Sequence, residues 1–113
     1  MKVLVCGGRH YSDRRYMERV LLKIHVRTPI RLLVEGGSGG ADFHAGQWAD
    51  SMGIEHVIVF ADWDIHGLAA GPIRNKQMLT EYHPNLVIAF PGGKGTANMI
   101  QQAKAYGVLV RQV

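Results

Sequence analysis

Three glycine-rich stretches hold the residues best suited to chemistry: Gly7-Gly8-Arg9, Gly36-Gly37-Ser38-Gly39-Gly40 and Pro91-Gly92-Gly93-Lys94-Gly95-Thr96. Glycine leaves backbone N–H groups unshielded, and a helix beginning near Thr96 adds the positive end of its dipole, so the third stretch is suited to hold an anion. One such loop alone would read as a tight turn. The repetition changes its weight, because apolar runs at Lys2 to Cys6, Arg31 to Glu35 and Leu86 to Phe90 lead directly into the three glycine stretches. Arg74, expected in the first turn of a helix opening at Pro72, can grip a phosphate through two parallel hydrogen bonds. Asn75 follows it.

Other side chains have two readings each. Asp42 at a helix start suits a helix cap as well as a ribose hydroxyl; it would repel a phosphate placed beside it. Phosphate is therefore assigned to residues 92–96 and Arg74, and sugar or base to the side of residues 36–42. Arg9 is a second phosphate contact or a solvated loop residue. Trp63 either stacks on a base or anchors its loop. Glu35 and Asp42 flank a glycine loop and are the carboxylates available for acid–base work. Asp62, Asp64, His66, His10 and His44 show no recognised zinc spacing, and neither a metal nor another cofactor is expected. Cys6 reads as a small buried strand residue.

Something must bring these distant stretches together. Helical spacing is expected after the polar loop Arg9 to Asp13 and up to Arg27, stopped by Thr28-Pro29, then from Ala41 to Met52 ahead of a Gly53 cap, from Pro72 to Tyr82, and from near Thr96 to a closing Gly107. Strands are expected at Lys2 to Cys6, Arg31 to Glu35, Glu55 to Phe60, Leu86 to Phe90, which Pro84-Asn85 leads into, and Val108 to Val113. Ala61 to Gly71 is a connection longer than usual, which suggests a working loop. Strands alternating with helices predict an α/β domain, a five-stranded parallel sheet with helices on both faces. Right-handed crossovers then put every loop that follows a strand on one rim. With strand order 3-2-1-4-5 the crevice opens between the first and fourth strands, beside Gly7-Gly8-Arg9 and Pro91 to Thr96.

The 113 residues form one expected domain, 1–113, with no room for a second substrate domain, so a second wall for the site would come from another copy of the chain. Hydrophobic residues at 47% and charged residues at 19% exclude a disordered chain. No apolar run has the length of a signal peptide core or a membrane span, and the lone Cys6 cannot form an internal disulfide; a cytoplasmic protein without a membrane partner is expected. The net charge is +4, and eight of the thirteen Lys and Arg residues precede Val34. Arg15, Arg19, Lys23 and Arg27 stand at i, i+4 spacing as one helical stripe, which is either a solvated face or a contact for nucleic acid.

Two familiar motifs are absent. In Lys94-Gly95-Thr96 the lysine precedes the last glycine, which is the wrong order for a P-loop. Asp42 and Asn98 stand where the dinucleotide fingerprint needs its third glycine. Val5-Cys6-Gly7-Gly8-Arg9, Glu35 to Asp42, Ala61-Asp62-Trp63, Gly71-Pro72-Ile73-Arg74-Asn75 and Phe90 to Thr96 together resemble the YspA/YpsA-related branch of the SLOG superfamily. That resemblance covers nearly the whole chain. It implies a Rossmann-like domain of bacteria and their phages that binds nucleotides or nucleotide-derived ligands, and it agrees with a homodimer or higher homo-oligomer. The related LOG-type phosphoribohydrolases, which cleave the base from nucleoside monophosphates, carry Arg-Lys-x-x-Met and Pro-Gly-Gly-x-Gly-Thr-x-x-Glu. Arg74 and Met78 match the first, but Met99 stands where the second has its catalytic glutamate. A thioether cannot replace a carboxylate at an oxocarbenium-like centre, so that reaction would need another acid. DNA-processing members of the superfamily supply the other alternative, single-strand binding through the basic stripe.

Overall fold

A computed structural model describes residues 1–113. The strands are β1 (Lys2–Cys6), β2 (Leu32–Glu35), β3 (Glu55–Ile58), β4 (Leu86–Ala89) and β5 (Leu109–Gln112); the helices are α1 (Arg14–Arg27), α2 (Gly40–Ser51), α3 (Trp63–His66), α4 (Ala70–Tyr82) and α5 (Lys94–Tyr106). All strand pairs are parallel and the order is β3-β2-β1-β4-β5, as expected.

Strand alternation divides the core in two. Val3 and Val5 of β1, with Leu33 and Ile88, point to α1 and α2, where Met17, Leu21, Ala45 and Trp48 meet them. Leu4 and Cys6, with Val34 and Val87, point to α4 and α5 and pack on Met78, Leu79, Met99 and Ala103. Because side chains alternate along a strand, β1 is buried on both faces, and its run is continuously apolar. The edge strands β3 and β5 contain no buried residue. No helix is long and apolar enough to cross a membrane.

Helix ends follow local chemistry. Asp13 caps α1 by accepting from the Tyr16 N–H at 3.2 Å. Gly53 and Gly107 take positive φ, 69° and 84°, beyond the ends of α2 and α5, where a Cβ would be strained.

Three expectations need correction. Residues 61–71 are not an open loop: Asp62 caps α3, a short 3-10 turn follows at Gly67–Ala69, and α4 opens at Ala70. Pro72 is therefore the third helical residue, still among positions whose N–H has no intrahelical partner, and Arg74 lies in the second turn. Helix α5 begins at Lys94, two residues before Thr96. Strand β3 ends at Ile58, and the Val59 N–H turns to the Glu35 carbonyl at 2.9 Å.

Candidate functional site

The order reverses between β1 and β4, and a cleft of about 910 Å³ opens beyond their carboxyl ends. Of the residues expected there, Gly7, Gly8, Arg9, Gly36, Ser38, Asp42, Trp63, Arg74, Asn75 and Pro91 to Thr96 line it. Glu35, Gly37, Gly39 and Gly40 are not in its wall.

The two helices that begin at the longer glycine loops, α2 and α5, differ at their starts. At α2, the Ala41 N–H donates to the Gly8 carbonyl at 3.1 Å and the Asp42 N–H to the Gly39 carbonyl at 3.1 Å. A Cβ on Gly40 would run into the backbone of Gly8 and Arg9, and one on Gly37 into the Phe60 ring. These glycines therefore serve close packing of one loop on another. At α5, the first intrahelical bond is that of the Ala97 N–H to Gly93, 3.0 Å. The N–H groups of Lys94, Gly95 and Thr96 precede it and have no intrahelical acceptor. A Cβ on Gly93 or Gly95 would meet nothing within 4 Å. Gly92 is tighter, packed over the Gly8 nitrogen and Thr96, while the Gly8 N–H itself donates to the Pro91 carbonyl at 2.9 Å.

Arg74 is tied into the rim. Its Nη1 donates to the Gly36 carbonyl at 2.5 Å and to the Val59 carbonyl at 3.4 Å, and its Nε to Asn75 Oδ1 at 3.1 Å. Nη2 has no acceptor within the protein. Burial pulls its pKa down, while the charges of Asp42 and Glu35 pull it up. Arg74 makes no ion pair; its side chain braces the segments that follow β2 and β3 while the residue lines the cleft.

Asn75, expected as a ligand contact, is buried and spends its amide internally. Nδ2 donates to the Gly95 carbonyl at 3.2 Å and to Asn98 Oδ1 at 3.1 Å. Its work is to hold α4 against the first turn of α5. Asp42 is 4% exposed and accepts the Ser38 hydroxyl at 2.7 Å and the Ser38 N–H at 3.1 Å through Oδ2. Burial raises its pKa against the lowering effect of those bonds and of Arg74. Asp42 caps no N–H of α2, whose N-cap Gly39 has no side-chain partner; its carboxylate instead ties down Ser38 of the preceding loop, and it lines the cleft.

Glu35 is paired elsewhere. It accepts from His56 Nε2 at 2.9 Å and from the Gly37 N–H, in a pocket that only the missing side chain of Gly46 leaves open. Met99 is fully buried in the core between the sheet, α4 and α5. Trp63 is half exposed, lines the cleft and has its ring edge over Gly71 of α4. Sequence reading missed His10, Tyr11, Ser12 and Asp13 as cleft residues, since a polar loop without a motif carries no signal. Cys6 also reaches the cleft floor; burial pushes its thiol up to about 12, so it stays protonated. The stripe Arg15, Arg19, Lys23 and Arg27 lies outside this cleft.

Similarity to known proteins follows the same lines. A family model described as YAcAr, the YspA, cpYpsA-related SLOG family, matches residues 1–66. The Gene 61 protein of Mycobacterium phage D29 is 35% identical over 117 residues, covering 96% of this chain and 93% of that protein. The X-ray structure of DNA processing protein A (DprA) from Streptococcus pneumoniae is similar in fold, with a TM-score of 0.76 at 19% identity; the match covers 98% of this chain and 49% of that one. The chain spans about half the length of that structure. With a family model across more than half of its residues and a relative alike over nearly its full length, the chain belongs to the YspA, cpYpsA-related SLOG family.

Proposed function

We propose that the cleft binds a nucleotide or nucleotide-derived small molecule, with a phosphate at the first turn of α5 and the sugar or base toward Asp42 and Trp63. The observation that carries this reading is the contrast between the two helix starts on one rim. The start of α2 is closed by backbone bonds, whereas that of α5 presents three N–H groups beside two glycines with open space before them. Lys94 and the Nη2 of Arg74 add positive charge there, and charge-assisted bonds are the stronger kind. Binding is favoured over LOG-type cleavage because Met99 is sealed in the core and Glu35 is held by His56, outside the cleft wall.

A second copy of the chain supplies the outer wall. Phe60, Trp63, Ile65 and Leu68 are 69%, 52%, 73% and 95% exposed on one segment of the chain, of which Trp63 lines the cleft, and exposed apolar residues grouped in this way favour a partner surface. A thermal-shift screen of nucleoside monophosphates, ADP-ribose, NAD and cyclic nucleotides tests the ligand. A compound at a hundred times its Kd stabilises by about 2.7 kcal/mol, several degrees for a domain of this size. Chromatography of the mixture then separates binding from turnover. If no compound shifts the melting temperature, the cleft reading fails for these classes.

A further inference from the structure

Helix α1 holds Arg14, Arg15, Arg19, Lys23 and Arg27 against the single carboxylate Glu18, while outside it eight Lys and Arg residues face eight Asp and Glu residues. The whole formal charge of +4 therefore sits on this one helix, on the side of the molecule away from the sheet. Only Arg14 is ion-paired, to Glu18 at 3.8 Å. Arg15, Arg19, Lys23 and Arg27 have no carboxylate partner and run for about 18 Å along the outward face, at 1.5 Å per residue.

Apolar groups share that face. Leu22 and Val26, one turn apart, and Tyr16 are exposed, Val26 by 74%. With Val20 they floor a groove of about 610 Å³ whose walls are Arg19, Lys23 and Arg27. It continues past Arg27 to Arg111 at the end of β5.

We infer that this face of α1 is a docking surface for an acidic amphipathic segment of a partner protein. Carboxylates at i, i+4 spacing on such a segment meet the cation stripe, and its apolar residues cover Leu22 and Val26, the helix-in-groove mode of recognition. A nucleic-acid strand would use the cations but leave Leu22 and Val26 in water. Exposed ion pairs individually change affinity by only a few fold, so the apolar floor has to contribute.

The test is fluorescence anisotropy on the full chain with four probes. They are a synthetic helical peptide with Glu at i, i+4 and Leu beside them, a poly-glutamate peptide of equal charge, a twenty-nucleotide oligo-dT, and phosphatidylserine vesicles. The amphipathic peptide is expected to bind at least tenfold more tightly than poly-glutamate. Two double variants at exposed positions, Arg19→Glu with Lys23→Glu and Leu22→Ser with Val26→Ser, should each weaken it at least tenfold, with unchanged melting temperature. No binding, equal binding of poly-glutamate, indifference to the Leu22 and Val26 changes, or tighter binding of oligo-dT or vesicles would each overturn the assignment.

Discussion

The Asn75 side-chain amide donates to the Gly95 carbonyl at 3.2 Å, which fastens the second turn of α4 to the first turn of α5. The bond matters because α5 lends the cleft its open N–H groups, and their aim depends on where that first turn sits. Asn98 extends the brace, accepting from both Asn75 at 3.1 Å and Gln102 at 2.7 Å, and Gln102 donates onward to the Pro72 carbonyl at 3.0 Å.

Replacing Asn75 with Ala removes one donor from the Gly95 carbonyl and one from Asn98 Oδ1. Each lost hydrogen bond costs about 0.5–1.5 kcal/mol. Urea unfolding should show a destabilisation of that order, and ligand affinity should fall with it. Unchanged stability would mean that the brace is not formed.

The glycines of the two loops should behave oppositely. Gly95→Ala places its Cβ in open space and gains helix propensity, up to about 1 kcal/mol, yet it obstructs an anion at the α5 start. Gly40→Ala, at φ 48°, drives its Cβ into the Gly8 and Arg9 backbone and should destabilise by about 1–3 kcal/mol or more. Thermal melts with and without ligand distinguish the two. Loss of binding in Gly95→Ala at undiminished melting temperature is the expected pattern.

Arg74→Ala should weaken ligand affinity at least tenfold and also lower stability, because the carbonyls of Gly36 and Val59 lose their donor and Asp42 loses its nearby positive charge. Arg74→Lys keeps the charge but not the fork, so it should recover less than half of the lost binding free energy in a titration. Full recovery by lysine would remove the two-sided role of the guanidinium.

Met99→Glu restores the residue type found in LOG-type enzymes but puts a carboxyl where no water reaches. An unpaired buried charge costs several kcal/mol, a large part of the about 5–15 kcal/mol that holds a domain together. The variant should be poorly folded and should not release free base from nucleoside monophosphates. A stable, hydrolytic Met99→Glu protein would show that the side chain turns to the cleft.

Burial raises the carboxyls of Glu35 and Asp42 above their ordinary 4.5 and 3.8, in spite of His56, Gly37 and Ser38. A native carboxyl that keeps its proton more firmly than the unfolded chain does stabilises the fold fully below the unfolded pKa. That contribution is lost as pH rises through the native value. Glu35→Gln with Asp42→Asn removes this titration. As pH rises above these ordinary values, the urea midpoint of the wild type should fall relative to that of the double variant. A constant difference would contradict the raised pKa values.

The chain's own pattern determined the architecture. Five short apolar runs separated by helical spacing leave a parallel sheet as the way to bury them. Handed crossovers then bring the loops after β1, β2 and β4 to one rim, so the cleft and most of its glycines were legible from residue order alone. Which glycine loop holds an open helix start was not legible. Gly36 to Gly40 and Gly92 to Gly95 look alike as strings, and only packing distinguishes them: Gly40 is pressed against Gly8 and Arg9, whereas Gly93 and Gly95 have room before them. The same holds for Glu35 and Asn75, whose partners His56 and Gly95 lie 21 and 20 residues away in the chain. Local sequence carries backbone preference and periodicity, which act over a few residues. Whether a polar side chain is satisfied or free depends on neighbours that only the folded chain brings within bonding distance.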